Sequence, residues 1–384
     1  MSSDTGTPVE DLGGQSSVST LELFFDLVFV FTITQLTHAF VVEPTWVTAG
    51  EVAIVFCLTW WMYSGFIWLT GEVAPSTSSR RTMLLVGMLG FFAIALAVPD
   101  AVHGRGVIFG WAFFGVTVLH AIVYWTAGGA DSGRVIGRLL PINLGAAVLA
   151  VIGGYAGGAA GFAWWGVAVV ALAFLPRRTA SADGFIVRPG HYCERHGAVV
   201  IIAVGESIVA VGAGLAGVPM NLLFFVEVGL GLTLCYVLWW AFFGFDHERG
   251  IRVLEALPVK ERNRPALYAY GYACVPMLLG IVFTAAGLGM TIARTSSSAT
   301  WAEAIALSGG VALYMFGQAG FRVVLGLPRP WIRAVAGVIA LAIIPIGAFG
   351  EVWMELVAIL VFVYAAVIAD DLLIGKEGEH SSYL

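Results

Sequence analysis

From residue 20 to residue 373 the chain is a succession of apolar runs of roughly twenty residues, separated by short polar or Gly/Pro breaks. Runs of that length cross about 30 Å of hydrocarbon as helices, whereas membrane β-strands read as alternating segments of about ten residues. Composition closes off a soluble fold: 59% of the 384 residues are apolar and 11% are charged, against about a quarter charged in soluble chains. The expected fold class is therefore an all-α polytopic membrane protein.

Apolar windows set against the breaks predict about twelve transmembrane helices, near 20–42, 48–70, 82–100, 106–127, 136–155, 158–175, 195–216, 222–245, 266–293, 300–321, 330–349 and 352–373. The break at 156–157 is short enough to require a tight helical hairpin. Placing the N-terminus inside puts seventeen of the nineteen Lys and Arg residues in inner segments, leaving Arg105 and Arg294 outside. That partition predicts a multi-pass membrane protein with both termini cytoplasmic. Residues 1–19 carry Asp4, Glu10 and Asp11 but no Lys or Arg. They read as a disordered cytoplasmic tail, and the first span reads as an uncleaved anchor.

The second span contains WWMYSGF at 60–66 and the eighth contains WWAFFGF at 239–245, sharing W-W-x-x-x-G-F at the same depth. Spans one and seven align more loosely, Glu22 with Glu194 and Thr34-Gln35 with Glu206-Ser207. The division expected is a first six-helix repeat at 20–178, a cytoplasmic linker at 179–193, a second repeat at 194–373 and a tail at 374–384. Six spans per half make the repeats parallel, related by an axis along the membrane normal. Chance similarity between apolar helices is the other reading.

Ionisable residues inside such spans carry the functional signal. Glu22 and Asp26 share one face of span one, and Asp26 lies about 9 Å along the helix from Thr20. A carboxylate there needs a cation, a proton or water; stabilisation of the helix N-terminus is the plainer reading for Glu22. Span seven opens with Glu194, Arg195 and His196 and places Glu206 near mid-bilayer. Glu206 is a functional candidate, or alternatively a protonated acid bonded across a helix contact. Arg195 is the nearest available cation for Asp26 if spans one and seven meet. His38 and His120 stand alone and read first as packing residues. Asp370-Asp371 reads as a solvated pair at a helix end. Cys57, Cys193, Cys235 and Cys274 form no CxxC pair and read as packing residues. No metal-ligand, nucleophile or phosphate-loop motif is present, so no cofactor or metal is expected, and no basic run points to nucleic acid.

ELFFDLVFVFTITQLTH at 22–38 and ERHGAVVIIAVGESIVAVG at 194–212 resemble the two signature segments of the bacterial low temperature requirement A (LtrA) family, with similarity over nearly the whole chain. The resemblance implies a polytopic bacterial membrane protein linked by name to growth in the cold. FFDLVFVFTIT at 24–34 is also similar to the first helix of endolysosomal and bacterial potassium channels with the signature Arg-x-x-x-Phe-Ser-Asp. Some of these have two six-helix repeats whose first helices line the pore. Asp26 takes the position of the signature Asp, while Thr20, Phe25 and Ala198 depart from the pattern.

The leading expectation is a transport or channel protein moving a cation, a proton or a proton-coupled small solute between spans one and seven. Asp26 and Arg195 would form an inner gate, Glu206 with Thr34, Gln35 and Ser207 the central binding or proton-carrying group, and His38 the outer end. The alternative is a membrane-embedded enzyme in which Glu22, Asp26, Glu194, His196 and Glu206 protonate, isomerise or cyclise an isoprenoid, lipid or other apolar metabolite. A chaperone or adaptor within the bilayer is a third reading. Expected partners are membrane lipid, a small ion or small-molecule substrate, and a homo-oligomer's other copies.

Overall fold

The computed structural model describes residues 18–73, 76–127, 130–176, 187–294 and 296–381, and these form helices joined by short connections. The expected N-terminal tail lies almost wholly outside them. Helices α1 (Thr20–Val42), α2 (Trp46–Glu72), α3 (Ser78–Val102), α4 (Val107–Ala127), α5 (Ala130–Ala156) and α6 (Gly158–Phe174) make the first half. The second half comprises α7 (Pro189–Gly214), α8 (Leu222–Phe243), the short α9 (Asp246–Ala256), α10 (Cys274–Thr291), α11 (Gly310–Leu325), α12 (Pro330–Phe349) and α13 (Val352–Ser381).

Among the described residues eleven helical segments are long and apolar enough to cross a bilayer. The predicted sixth span is helical but only 17 residues long, roughly 26 Å at 1.5 Å per residue. Its start is set by the turn before it: α5 ends at Ala156 and α6 starts two residues later, through Gly157 at φ +62° and Gly158 at φ +51°. Gly157, with ψ 169°, occupies a region essentially closed to side chains. Gly157→Ala is expected to lower stability by about 1–3 kcal/mol, read as a lower melting midpoint in detergent.

In the first half α1 packs on α2 and α3, the chain then runs α3 to α4 to α5 to α6 in successive contact, and α6 returns to α2. In the second half α7 packs on α8 and α10, followed by α10 to α11 to α12 to α13, and α13 returns to α8. The halves meet where α1 and α2 lie against α7 and α10. Two π-helical stretches interrupt the second half, Leu267–Ala273 leading into α10 and Ile305–Gly309 leading into α11. A π turn leaves backbone groups that need other partners, and the indole N–H of Trp60 on α2 donates to the Gly271 carbonyl at 2.7 Å. This bond fastens one half to the other.

α9 continues from the end of α8 as an amphipathic helix. Asp246, Gly250 and Leu254 recur every four residues on its buried face, while Glu248 and Arg252 pair at 3.6 Å on its exposed side.

Candidate functional site

α1 begins with a capping box. The Ser19 hydroxyl accepts from the Glu22 N–H at 3.3 Å, and Glu22 Oε2 accepts from the Ser19 N–H at 2.9 Å. The other carboxylate oxygen of Glu22 turns toward α7, where Oε1 lies 3.0 Å from His191 Nε2 and accepts from Arg195 Nη1 at 3.1 Å. Glu22 therefore serves both the helix terminus and the interface.

One turn further, Asp26 is fully buried and faces Arg195, which is also fully buried. The guanidinium donates through Nε to Oδ2 at 3.1 Å and through Nη2 to Oδ1 at 2.5 Å, and Nη1 also donates to Thr70 Oγ1 at 2.9 Å. This two-pronged geometry is the strongest way to hold a carboxylate on arginine. The Tyr63 hydroxyl donates to Oδ1 as well. Its ring stacks on Phe29 at 3.9 Å between centroids, within a group that includes Phe25 and Phe91. The ion pair lies behind this aromatic wall, with both side chains sealed from the surface. Within this hydrogen-bonded cluster two carboxyls face one guanidinium, with His191 as the remaining basic group.

Eight residues along α1, about 12 Å, Thr34 donates to Glu206 Oε2 at 2.6 Å. Contacts near both helix starts and again here mean that α1 and α7 run parallel side by side. Glu206 is 8% exposed, and the neighbouring Ser207 is fully buried. Its hydroxyl has no hydrogen-bond partner among the described residues. Gln35 is half-buried and His38 is exposed.

The remaining sequence candidates lie elsewhere. Glu194 is exposed. His196 is buried, hydrogen-bonded through Nδ1 to the Tyr192 carbonyl at 2.9 Å and surrounded by Trp60, Tyr192 and Tyr270. His120 packs between Phe66 and Tyr124. A small cleft of about 20 Å³, room for little more than one water, lies among Phe66, Thr70, Val73, Arg80 and Val123 and touches the ion-pair cluster through Thr70. Among the described residues no three His, Cys, Asp or Glu side chains are grouped to hold a metal.

One sequence reading is corrected: Asp370 is not solvated. It is fully buried, accepting from Arg322 Nη1 at 2.5 Å and lying 3.5 Å from Arg333. Arg322 also donates to both oxygens of Asp246, at 2.6 and 2.9 Å. The helix α13 runs on to Ser381, so position 370 sits within it and faces α11 and α12 rather than water. Arg249 Nη1 also comes within 3.9 Å of Asp246 Oδ1, so two acids are held by three arginines in a cluster that ties four elements of the second half together. His191 and Tyr63 were likewise missed as partners of the first cluster. His191 lies upstream of the predicted seventh span, in the first turn of a helix that begins at Pro189.

Comparison with known proteins adds identity more than mechanism. The family model for the bacterial low temperature requirement A protein (LtrA) matches residues 17–369. An uncharacterized protein of Rhizobium meliloti (strain 1021) is 26% identical over 325 residues, which cover 79% of this chain and 76% of that protein. No solved structure matches the chain.

Proposed function

We propose that this chain, which belongs to the bacterial low temperature requirement A (LtrA) family, moves a cation, a proton or a proton-coupled small solute across the cytoplasmic membrane along the seam between α1 and α7. The observation that carries this reading is the Glu206–Thr34 contact. A carboxyl well inside a spanning helix, at the meeting line of two helices and hydrogen-bonded to a hydroxyl, can take up and release positive charge. Asp26 and Arg195 close the inner end of the same seam, and His38 lies toward its other end.

In this reading the bundle is two parallel six-helix repeats with twelve crossings, α6 spanning a locally thinned bilayer. The matching order of helix contacts in the two halves supports the repeats. So does register: Thr34 and Glu206, which touch, are 172 positions apart, the spacing that aligns Glu22 with Glu194. Equivalent positions facing each other are what an axis along the membrane normal, running between α1 and α7, would produce. Both termini are assigned to the cytoplasm by the distribution of Lys and Arg.

Transport is preferred to acid–base catalysis because the groups an enzyme would combine are dispersed. Glu194 faces outward, and His196 is enclosed in aromatic rings. The test is flux in proteoliposomes containing a pH-sensitive dye, with imposed proton, K⁺ or Na⁺ gradients. The protein is expected to dissipate at least one of them faster than protein-free vesicles do. Identical traces for all three would remove ion movement from the account.

A further inference from the structure

At the end of the bundle opposite Arg195, Glu355 projects from the first turn of α13 and is fully buried. The Ser308 hydroxyl, in the π-helical stretch Ile305–Gly309, donates to its Oε1 at 2.5 Å. Its Oε2 is sealed from the surface with no hydrogen-bond partner among the described residues. The carboxyl lies directly over Gly347 of α12, where an added Cβ would fall 1.8 Å from Oε2. Only a glycine leaves room for it. The site is closed by backbone bonds on either side of the α12–α13 turn, Ala299 N–H to the Gly347 carbonyl and Val352 N–H to the Ser297 carbonyl, both 2.9 Å.

The charged groups nearby are occupied with each other or turned away. Arg294 pairs with Glu303 at 2.5 Å, toward the surface. Glu351 accepts from the Trp353 indole at 2.7 Å. Among the described residues no cation is paired with Glu355 from α10, α11, α12 or its own helix. A carboxylate sealed in such a place, with Ser308 as its polar neighbour and one oxygen left without a partner, would cost several kcal/mol. The neutral acid has the same shape and avoids that cost.

We infer that Glu355 is a proton-binding site, held as a neutral carboxylic acid by Ser308 and the α12–α13 turn, and separate from the α1/α7 seam. The ligand is the proton itself. Its release places a negative charge on Glu355 and requires water to enter, so it is linked to the turn lifting from the π-helical stretch. This assignment does not rest on the transport reading.

Infrared spectra of the full-length protein in liposomes at neutral pH, recorded in H₂O and D₂O, test it without any flux measurement. The wild type is expected to show a carboxylic-acid C=O band that is lost in Glu355→Gln and kept in Glu206→Gln. Ser308→Ala, which removes only the hydroxyl donor, is expected to move that band to higher frequency. Acid bands identical in wild type and Glu355→Gln would overturn the assignment, as would a band that Ser308→Ala leaves in place.

Discussion

Arg195→Ala is expected to destabilise the protein by about 3–5 kcal/mol, the usual cost of removing one partner from a buried ion pair. The loss follows from the cluster's geometry. Arg195 makes four hydrogen bonds, to Asp26 twice, to Glu22 and to Thr70, and its removal leaves two carboxylates buried without their guanidinium. Arg195→Lys should recover little, because an ammonium cannot reproduce the two-pronged contact with Asp26. The double substitution Asp26→Asn, Arg195→Gln should be less harmful than the two single effects summed, since each single change strands the other's charge. Arg252→Ala, by contrast, breaks an exposed pair with Glu248 and should change the melting midpoint little. Unfolding midpoints in one detergent would separate these cases. A melting profile for Arg195→Ala equal to that of wild type would show that the cluster is wet and weak.

Glu206→Gln is expected to abolish whatever ion flux the wild type shows while leaving the fold intact. The amide has the size of the carboxyl, and its carbonyl can still accept from Thr34, so the packing of α1 on α7 survives. What disappears is the ability to change charge. Thr34→Val should slow flux without abolishing it, because the acid remains and only its hydroxyl partner is lost. Flux in Glu206→Gln equal to wild type, measured on protein with an unchanged melting profile, would take this residue out of the mechanism.

Much of the bundle was legible in the sequence because hydrocarbon imposes a length and a polarity that leave few alternatives. The meeting of Asp26 with Arg195 was legible for a related reason: a deep carboxylate must find a cation or a proton, and few cations were in reach. The other partners were not. Tyr63 reads as one more aromatic in an aromatic run, and His191 lies in a polar stretch that gives no sign of joining the helix. Asp370 looks solvated because adjacent acids near a polar tail usually are, and its partners Arg322 and Arg333 come from other helices. Glu355 reads as an ordinary first-turn acid, which helix termini favour. The π-helical stretches that position Ser308 and Gly271 leave no compositional trace, since they change the register of a helix without changing its residues.

The central claim is that α1 and α7 enclose a path that water and ions can enter. Thiol accessibility tests it most directly, on a background with Cys57, Cys193, Cys235 and Cys274 replaced by alanine. Gln35→Cys and Ser207→Cys, next to the Thr34–Glu206 contact in sequence and assigned to the seam by the proposal, are compared with Val209→Cys, which is 60% exposed on the bundle's outer surface. The account predicts that a membrane-impermeant thiol reagent modifies the two seam positions and spares Val209→Cys, which reacts only with a lipid-soluble maleimide. Seam cysteines that the impermeant reagent fails to reach from either side of the membrane would contradict it.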